Sequence, residues 1–448
     1  MVSSLDEIKS VGAVTPDVAK QPVLSGKNRI CIITSAPICC NPRVVKEADA
    51  LTTAGFEVRV VASQHVEWVV AWDQELMASR KWKHDPVRWD GTDFNSKRIR
   101  LLTGLRQRSF QVLAKGTPRS KAPERAYARL YDIQLAKATA EAADLYIAHN
   151  PAALPVAAAA ADHFGVSFAF DSEDFHSGEF TAGEQNSESF RLLSDLEAKY
   201  LPRCVYITVP SEQIADALAE RYSIPRPTSI HNVFSWSDRA QLDGKIKDRR
   251  GDSLSLYWYS QIVGLNRGLQ DVIRAVSLLS EPVQIHLRGD VDSDVKDQLL
   301  KLASECAVSD QLFFHAPVPP AELLSRAAEH DIGLALEQPV NLNRTITVTN
   351  KLFFYLLAGL AVAATNTAGQ WAIMQSCPGA GFVYEAGDHR ALALELQKLI
   401  DLPELLDSRK SAALNAALEG WNWEEESGRF VEVVSSALSS KKGNSLVI

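Results

Sequence analysis

Thr349, Asn350 and Lys351 open one helical pattern with two capping side chains and an ammonium in the first turn. Free backbone N–H groups and the positive end of a helix attract an anion, so the combination suits a phosphate. Other groups with the same bias recur through the second half of the chain. Ser260, Gln261 and Arg267 follow one apolar run, Arg288 and Asp290 a second, and Glu337 and Arg344 a third. The first half offers a different chemistry. Asn41 and Arg43 follow its first apolar run, His149 and Asn150 a later one, and the run DSEDFHSGE supplies Asp171, Glu173, Asp174 and His176. Cations in one half suit an anion, while carboxylates and histidines in the other suit a polyhydroxy or basic partner.

Such groups meet only if alternating strands and helices bring their loops to one side. Arg29 to Thr34 reads as a strand, Arg43 to Ala54 as a helix stopped by Gly55, and Phe56 to Ala62 as the next strand. This βαβ unit marks a parallel sheet. The alternation resumes with helix Glu124 to Ala142, strand Asp144 to Ala148, the alanine-rich helix Ala152 to Phe164 and strand Ser167 to Phe170. It begins again at Leu254 and runs to the strand Leu360 to Ala364, which follows the Lys351 helix and its stop at Gly359. The expectation is α/β, two doubly wound Rossmann-like domains with a cleft between them. Their carboxyl-end loops then carry the polar residues above. The expected divisions are a flexible lead over 1–27, a first domain over 28–235, a linker over 236–253, a second domain over 254–422, a helix over 423–438 returning to the first domain, and a tail over 439–448.

With 46% hydrophobic residues and 448 positions, the composition is that of a globular protein with more than one core. No signal peptide or spanning run is visible, because the longest apolar windows fall short of the ~20 residues a bilayer needs. The six cysteines lack metal-ligand or small-domain disulfide spacing and fit a reducing cytoplasm. Cys39 and Cys40 read as two small semi-buried residues, and His163, His286, His315 and His330 as packing or solvent residues. The DxD at Asp290 to Asp294 reads as a helix start capped by Ser293 and Asp294. A net charge of −8 gives no reason to expect nucleic acid. The charge is uneven, however: residues 77–129 hold 14 Lys/Arg against 4 Asp/Glu, a net of +10 that leaves −18 for the rest. Trp82, Trp89, Phe94 and several leucines interleave with those cations, a mixture suited to an anionic membrane surface, although Asp85, Pro86, Asp90 and Gly91 interrupt any single amphipathic helix. A solvated flap over the cleft is the alternative.

The stretch NPRVVKEADALTTAGFEVRVVA, the AHN triplet with the following ALPVAAAAA, FDSEDFHSGE, and above all LNRTITVTNKLFFYLLAGLAVAATNTAGQ resemble a retaining, GT-B fold glycosyltransferase of family four. The resemblance runs from Asn28 to Leu438. It implies transfer of a sugar, with retention, from a nucleotide-diphosphate sugar held by the second domain to a saccharide or lipid-linked hydroxyl acceptor held by the first, with no metal or other cofactor. By matched position, Arg267 is the cation that neutralises the pyrophosphate, Asn350 and Lys351 form the phosphate-facing helix start, and His149 is a cleft histidine directed at sugar or acceptor. A structural role for His149, bonded at the strand end, is the alternative. Arg267, Lys351 and His149 are thus the expected catalytic groups. Ser260, Gln261, Arg288, Glu337, Arg344, Thr349 and Asn350 are expected at the donor, and Asn41, Arg43, Asp171, Glu173, Asp174 and His176 at the acceptor.

Three positions depart from the resemblance. Phe354 stands where the family has a ribose-binding glutamate, Ile346 where it has a partner carboxylate eight positions earlier, and Ile262 where a basic residue is common. Glu337 is the expected substitute acid. A non-catalytic nucleotide-binding partner and a nucleotide-sugar epimerase are therefore alternative readings of the same cleft. The expected location is cytoplasmic, peripheral at the inner face of a membrane.

Overall fold

A computed structural model describes residues 28–114 and 122–444. The expected lead over 1–27, seven residues of the basic insertion and the last four of the expected tail lie outside these. The first sheet has seven parallel strands, in spatial order Lys83–His84, Glu57–Val61, Arg29–Thr34, Leu145–His149, Ser167–Asp171, Ile207–Val209 and Thr228–Ser229. The second has six, all parallel: Leu312–His315, Gln284–Val291, Ser255–Val263, Ile332–Ala335, Ala361–Thr365 and Gly381–Tyr384. Continuous apolar runs such as Ile30–Ile33 and Val362–Ala364 are buried, because helices cover both faces of such a sheet. In each sheet the first strand of the domain lies inside, with the next strand on one side and a later one on the other. The winding reverses there and opens a crevice at the carboxyl ends. The two crevices supply the loops of the candidate site, and the chain is α/β with the two-domain GT-B architecture.

Local chemistry fixes the helices that border them. Helix Pro42–Thr53 begins at Asn41, whose side-chain oxygen accepts the Val44 N–H, while Pro42 occupies a first-turn position that needs no donor. Helix Asn350–Ala358 stops at Gly359, which takes the left-handed conformation at φ 77°.

Several elements differ from the sequence reading. The expected helix from Glu124 to Ala142 is two helices, Ala122–Tyr127 and Tyr131–Ala140, and the break between them carries Arg129 to the preceding helix, where it donates to Thr103 and the Arg100 carbonyl. Ser260 and Gln261, read as loop residues, lie within a strand that shifts register between Tyr259 and Ile262. Gly289 permits this approach, since a Cβ there would sit 2.4 Å from the Ser260 carbonyl oxygen. The DxD cap is Asp292, which accepts the Asp294 N–H at 2.9 Å. His286, His315 and His330 take packing roles, as read, and do so together. His286 Nδ1 lies 2.9 Å from His315 Nε2, and the His286 and His330 rings are 4.5 Å apart.

The segment joining the domains is strapped to the second one. Asp243 pairs with Arg326 at 2.6 Å, Glu329 accepts the Lys247 and Asp248 N–H groups, and Arg249 pairs with Asp331. A final helix, Trp423–Asn444, puts Phe430 and Val434 into a cluster with Val44 and Ala48 of the first domain. That cluster also takes in Phe353, Phe354 and Leu357, so one apolar core spans both domains. Phe354 is 4% exposed, edge-on to Phe234 at 5.1 Å and 4.7 Å from the Tyr259 ring. Emptying an aromatic core position costs about 3–5 kcal/mol. Phe354→Ala should therefore lower thermal stability strongly and Phe354→Leu much less. Calorimetric unfolding checks this, and an unchanged Tm in the alanine variant would remove the ring from the interdomain core.

Candidate active site

A cavity of about 300 Å³ lies between the carboxyl ends of the two sheets. From the second domain it is lined by Ser260, Arg267, Glu337, Arg344, the segment Thr347 to Thr349, Asn350 and Lys351. The first domain contributes Arg43, Glu173, Asp174, Pro210 and Asn232. Ten of the expected site residues thus share one space. Glu337 is the electrostatic centre of the second-domain wall. Its Oε2 accepts from Arg344 at 2.7 Å and its Oε1 lies 3.9 Å from Lys351 Nζ. Burial opposes the charge on Glu337, but Lys351, Arg344 and Arg267 together hold its carboxyl below the usual range. Burial pushes the Lys351 ammonium down, Glu337 works against this, and Arg267 and Arg344 add to it. Three cations therefore surround one carboxylate, and the local surplus of two positive charges is what a diphosphate would neutralise. The helix beginning at Asn350 has no side-chain cap, which leaves its first N–H groups for a ligand.

Under the first-domain wall lies a buried ionic cluster. Arg43 grips Asp171 with two hydrogen bonds, Nε at 2.8 Å and Nη2 at 2.6 Å, and gives its remaining nitrogen to the Ile230 carbonyl. Thr208 also donates to Asp171 at 2.6 Å. His149 is 0% exposed, with Nε2 3.0 Å from Glu47 and Nδ1 3.0 Å from Glu173, to which Asn41 donates at 2.6 Å. Burial alone would push the imidazole down, but Glu47, Glu173 and Asp171 outweigh it and hold His149 at about 10. Burial, followed by the charge on Asp171, pushes Glu47 up to about 7 against the pull of His149 and Arg43. Lys46 is pushed down to about 7, chiefly by burial and then by Arg43, and donates to Asn232 at 2.8 Å and the Val233 carbonyl at 2.6 Å. His149, Asp171 and Glu173 offer ligand atoms within 4.8 Å of one another. As a metal site they fit poorly, because Arg43 already takes both Asp171 oxygens and both imidazole nitrogens already face carboxylates.

This placement corrects several expectations. His149 lies below the cavity and does not face it, because its ring is enclosed by Glu47 on the helix after one neighbouring strand and Glu173 on the loop after the other. Asp171 and Asn41 are likewise supports of the floor. Arg288 leaves the donor side altogether. Its guanidinium bonds Tyr257 Oη at 3.1 Å, the Ala316 carbonyl and Asp248 of the linker, since its strand position places it beside His315. His176 sits in a short turn with its Nδ1 3.2 Å from Glu179, and Gln261 is exposed outside the cavity. Glu337 serves cations with both oxygens, which leaves it poorly placed to take over from the absent ribose-binding acid.

Glu47, Lys46 and Asn232 were missed. Glu47 stands four residues after Arg43 and could have been found from that spacing on a helix face. Asn343 is a bridge between the domains. It accepts the Phe175 N–H at 2.9 Å and donates to Asp174 at 3.0 Å, while Asn341 donates to the Glu179 carbonyl and Ser211 to the Ile346 carbonyl. These bonds tie the domains together beside the cavity. They also draw Ile346 into the first domain's apolar core.

Residues 40–232 match the model of the glycosyl transferase 4-like domain. No curated protein matches the chain in sequence. Among solved structures, sucrose-phosphate synthase from Thermosynechococcus elongatus is 15% identical with a TM-score of 0.66, over 92% of this chain and 100% of that one. Anabaena HepE in complex with UDP is 14% identical with a TM-score of 0.60, over 91% and 100%. A glycosyltransferase from Rickettsia africae is 12% identical with a TM-score of 0.61, over 92% and 99%. Likeness at this identity speaks for the fold. The match to the glycosyl transferase 4-like domain thus covers most of the first domain, and the chain as a whole has the GT-B fold.

The buried cluster has a measurable signature. Removing one partner of a buried ion pair costs about 3–5 kcal/mol, so His149→Gln should be strongly destabilising near neutral pH. Folding raises the imidazole from 6.5 to about 10, so the stability it brings is complete below pH 6.5 and is lost as pH climbs through 10. The gap between wild type and His149→Gln in denaturant unfolding should accordingly narrow above neutrality. A gap that widens with pH would mean that the ring is neutral in the folded chain.

Proposed function

We propose that the protein transfers a sugar from a nucleotide-diphosphate sugar to a hydroxyl acceptor. The observation that carries this reading is the convergence of Arg267, Arg344 and Lys351 on the uncapped helix start in the interdomain cleft. Departure of a nucleoside diphosphate develops negative charge at the leaving oxygen, and preorganised cations stabilise that charge. Donor binding by the second domain and acceptor binding by the first is the division we propose, supported by the glycosyl transferase 4-like match over residues 40–232 and by the UDP held by the Anabaena neighbour. Thr349, Asn350 and Ser260 would meet the donor. Glu173, Asp174 and Arg43 would face the acceptor, with His149 and Asp171 keeping them in place. Retention of configuration is part of the proposal, as are metal-independent catalysis, a saccharide or lipid-linked acceptor and a place at the inner face of a membrane.

A second reading has its own observation. Ile346 and Phe354, at the positions where the family resemblance puts acids, are both buried in apolar packing. This favours a nucleotide-binding partner without turnover. Thermal shift against UDP, GDP, ADP and their sugars identifies the donor, since a ligand at 100 times its Kd stabilises the native state by ~2.7 kcal/mol. Release of nucleoside diphosphate that depends on acceptor then separates transfer from binding alone. Lys351→Ala and Arg267→Ala should each lower turnover by about 10²–10³, the usual cost of losing one such electrostatic donor, and weaken diphosphate binding. Unchanged binding and turnover in both variants would exclude this cavity as the donor site.

A further inference from the structure

The basic insertion contains a helix, Phe94–Ala114, with an exposed apolar stripe. Its inward side is mixed: Phe110 packs against the Ala126 and Leu192 cluster, with polar groups beside it. Ser96 and Thr103 are buried, Gln107 donates to the Ala126 and Tyr127 carbonyls, and Arg106 pairs with Asp132 at 2.7 Å. Its outward side is apolar. Phe94, Leu101, Leu105 and Val112 recur at helical spacing and are all exposed, Phe94 at 84% and Val112 at 71%. On a helical projection Lys97 and Arg108 flank this stripe on one side and Arg98 on the other. Among the described residues these three cations form no ion pair.

Beside the stripe lies a groove of about 550 Å³ whose charged lining residues, Lys97, Arg100, Arg108 and Arg129, are all cationic. Two glycines make room for it: a Cβ at Gly91 would lie 3.2 Å from an Arg100 nitrogen, and one at Gly104 3.0 Å from an Arg129 nitrogen. Arg129 is held over the Trp89 ring at 4.5 Å and bonded to Thr103 and the Arg100 carbonyl. Burial, then Arg100 and Arg108, make its charge less favourable than usual, as expected of cations gathered without a counter-ion. Trp68 and Trp72, stacked edge-on at 4.9 Å on the preceding helix Glu67–Met77, add two half-exposed indoles to the same domain.

We propose that the helix Phe94–Ala114 lies flat on an anionic bilayer, with its leucine stripe in the acyl boundary and its groove holding lipid phosphate. An outward apolar stripe that the described residues leave uncovered needs an apolar partner, and the cations flanking that stripe select an anionic one. The residues that interrupt a helix, Asp85, Pro86, Asp90 and Gly91, all precede Phe94, so nothing breaks the stripe along its 21 residues. Charge complementarity commits the occupant: residues 77–129 are net +10 within a chain of net −8, so an anionic surface attracts this segment and repels the remainder. The inference deepens the proposed function, on which its biological sense rests, by making the acceptor one that is presented at such a surface.

Co-sedimentation of the full chain with vesicles of mixed phosphatidylglycerol and phosphatidylcholine, and with phosphatidylcholine alone, tests it. Pelleting is expected with the anionic vesicles only. It should fall as salt rises from 0.1 M to 1 M and the Debye length shrinks from about 10 Å to about 3 Å. Each basic residue near such a surface is worth about fivefold in partitioning, so the triple variant Lys97→Ala, Arg100→Ala, Arg108→Ala should lose about a hundredfold. Leu101→Gln with Leu105→Gln should weaken binding while keeping its salt dependence. Equal pelleting with both vesicle types, no pelleting with either, or capture of free inorganic phosphate without vesicle binding would overturn the inference. Nucleotide thermal shift on the same samples separates the two readings. Nucleotide stabilisation without pelleting removes the membrane helix alone, and pelleting without nucleotide stabilisation removes the donor site alone.

Discussion

Arg267, Arg344 and Lys351 converge on Glu337 at the second-domain wall of the cleft, and one carboxylate cannot neutralise three cations. Gathering like charges there costs free energy that the fold must meet elsewhere, and the surplus is what gives the cleft its appetite for an anion. Much of the second domain's geometry serves this convergence. The Lys351 helix must start at the cleft and stop at Gly359. The strand carrying Ser260 must pass close to Gly289. Glu337 must stay ionised so that it holds two of the cations in place without cancelling them.

The first domain meets the cleft with a complementary problem, a cluster of carboxylates with too little water to solvate them. Arg43 and a charged His149 answer it, one by a two-point grip on Asp171 and the other by standing between Glu47 and Glu173. The floor of the cavity is consequently rigid and polar. Asn343, Asn341 and Ser211 carry that rigidity across to the second domain. The apolar residues at positions 346 and 354 belong to the same arrangement. Each fills a core that a carboxylate would disrupt, so the interdomain packing here occupies space that the family resemblance gives to acids.

The basic insertion follows another rule. Its helix leaves an apolar stripe exposed, which is unfavourable in water and favourable at a bilayer boundary. Its cations belong to the first domain, whereas Arg267, Arg344 and Lys351 belong to the second, so the two positive surfaces answer to different anions. Ten net charges concentrated in 53 residues of an otherwise acidic chain make that segment the electrostatic complement of an anionic surface.

Strands, most helices, the parallel sheets and the polarity of the two cleft walls were legible in the sequence. Five-residue apolar runs, glycine stops and capping residues act through neighbours along the chain. The phosphate-facing helix start was legible for the same reason, because Thr349, Asn350 and Lys351 are adjacent. The role of His149 was not. Whether that ring faces a substrate or lies under the floor depends on Glu47 and Glu173, 102 and 24 positions away. Arg288 read as a donor ligand by its place at a strand end, yet Asp248 and Tyr257 turn it to the linker. The outward leucine stripe was visible as composition, but only packing against Ala126 and Asp132 decides which side of the helix faces away. Local pattern determines which elements form, because their hydrogen bonds close within a few residues. Burial and the partner of each charge belong to the tertiary structure, because desolvation and Coulomb energy depend on distances in space that spacing along the chain does not set.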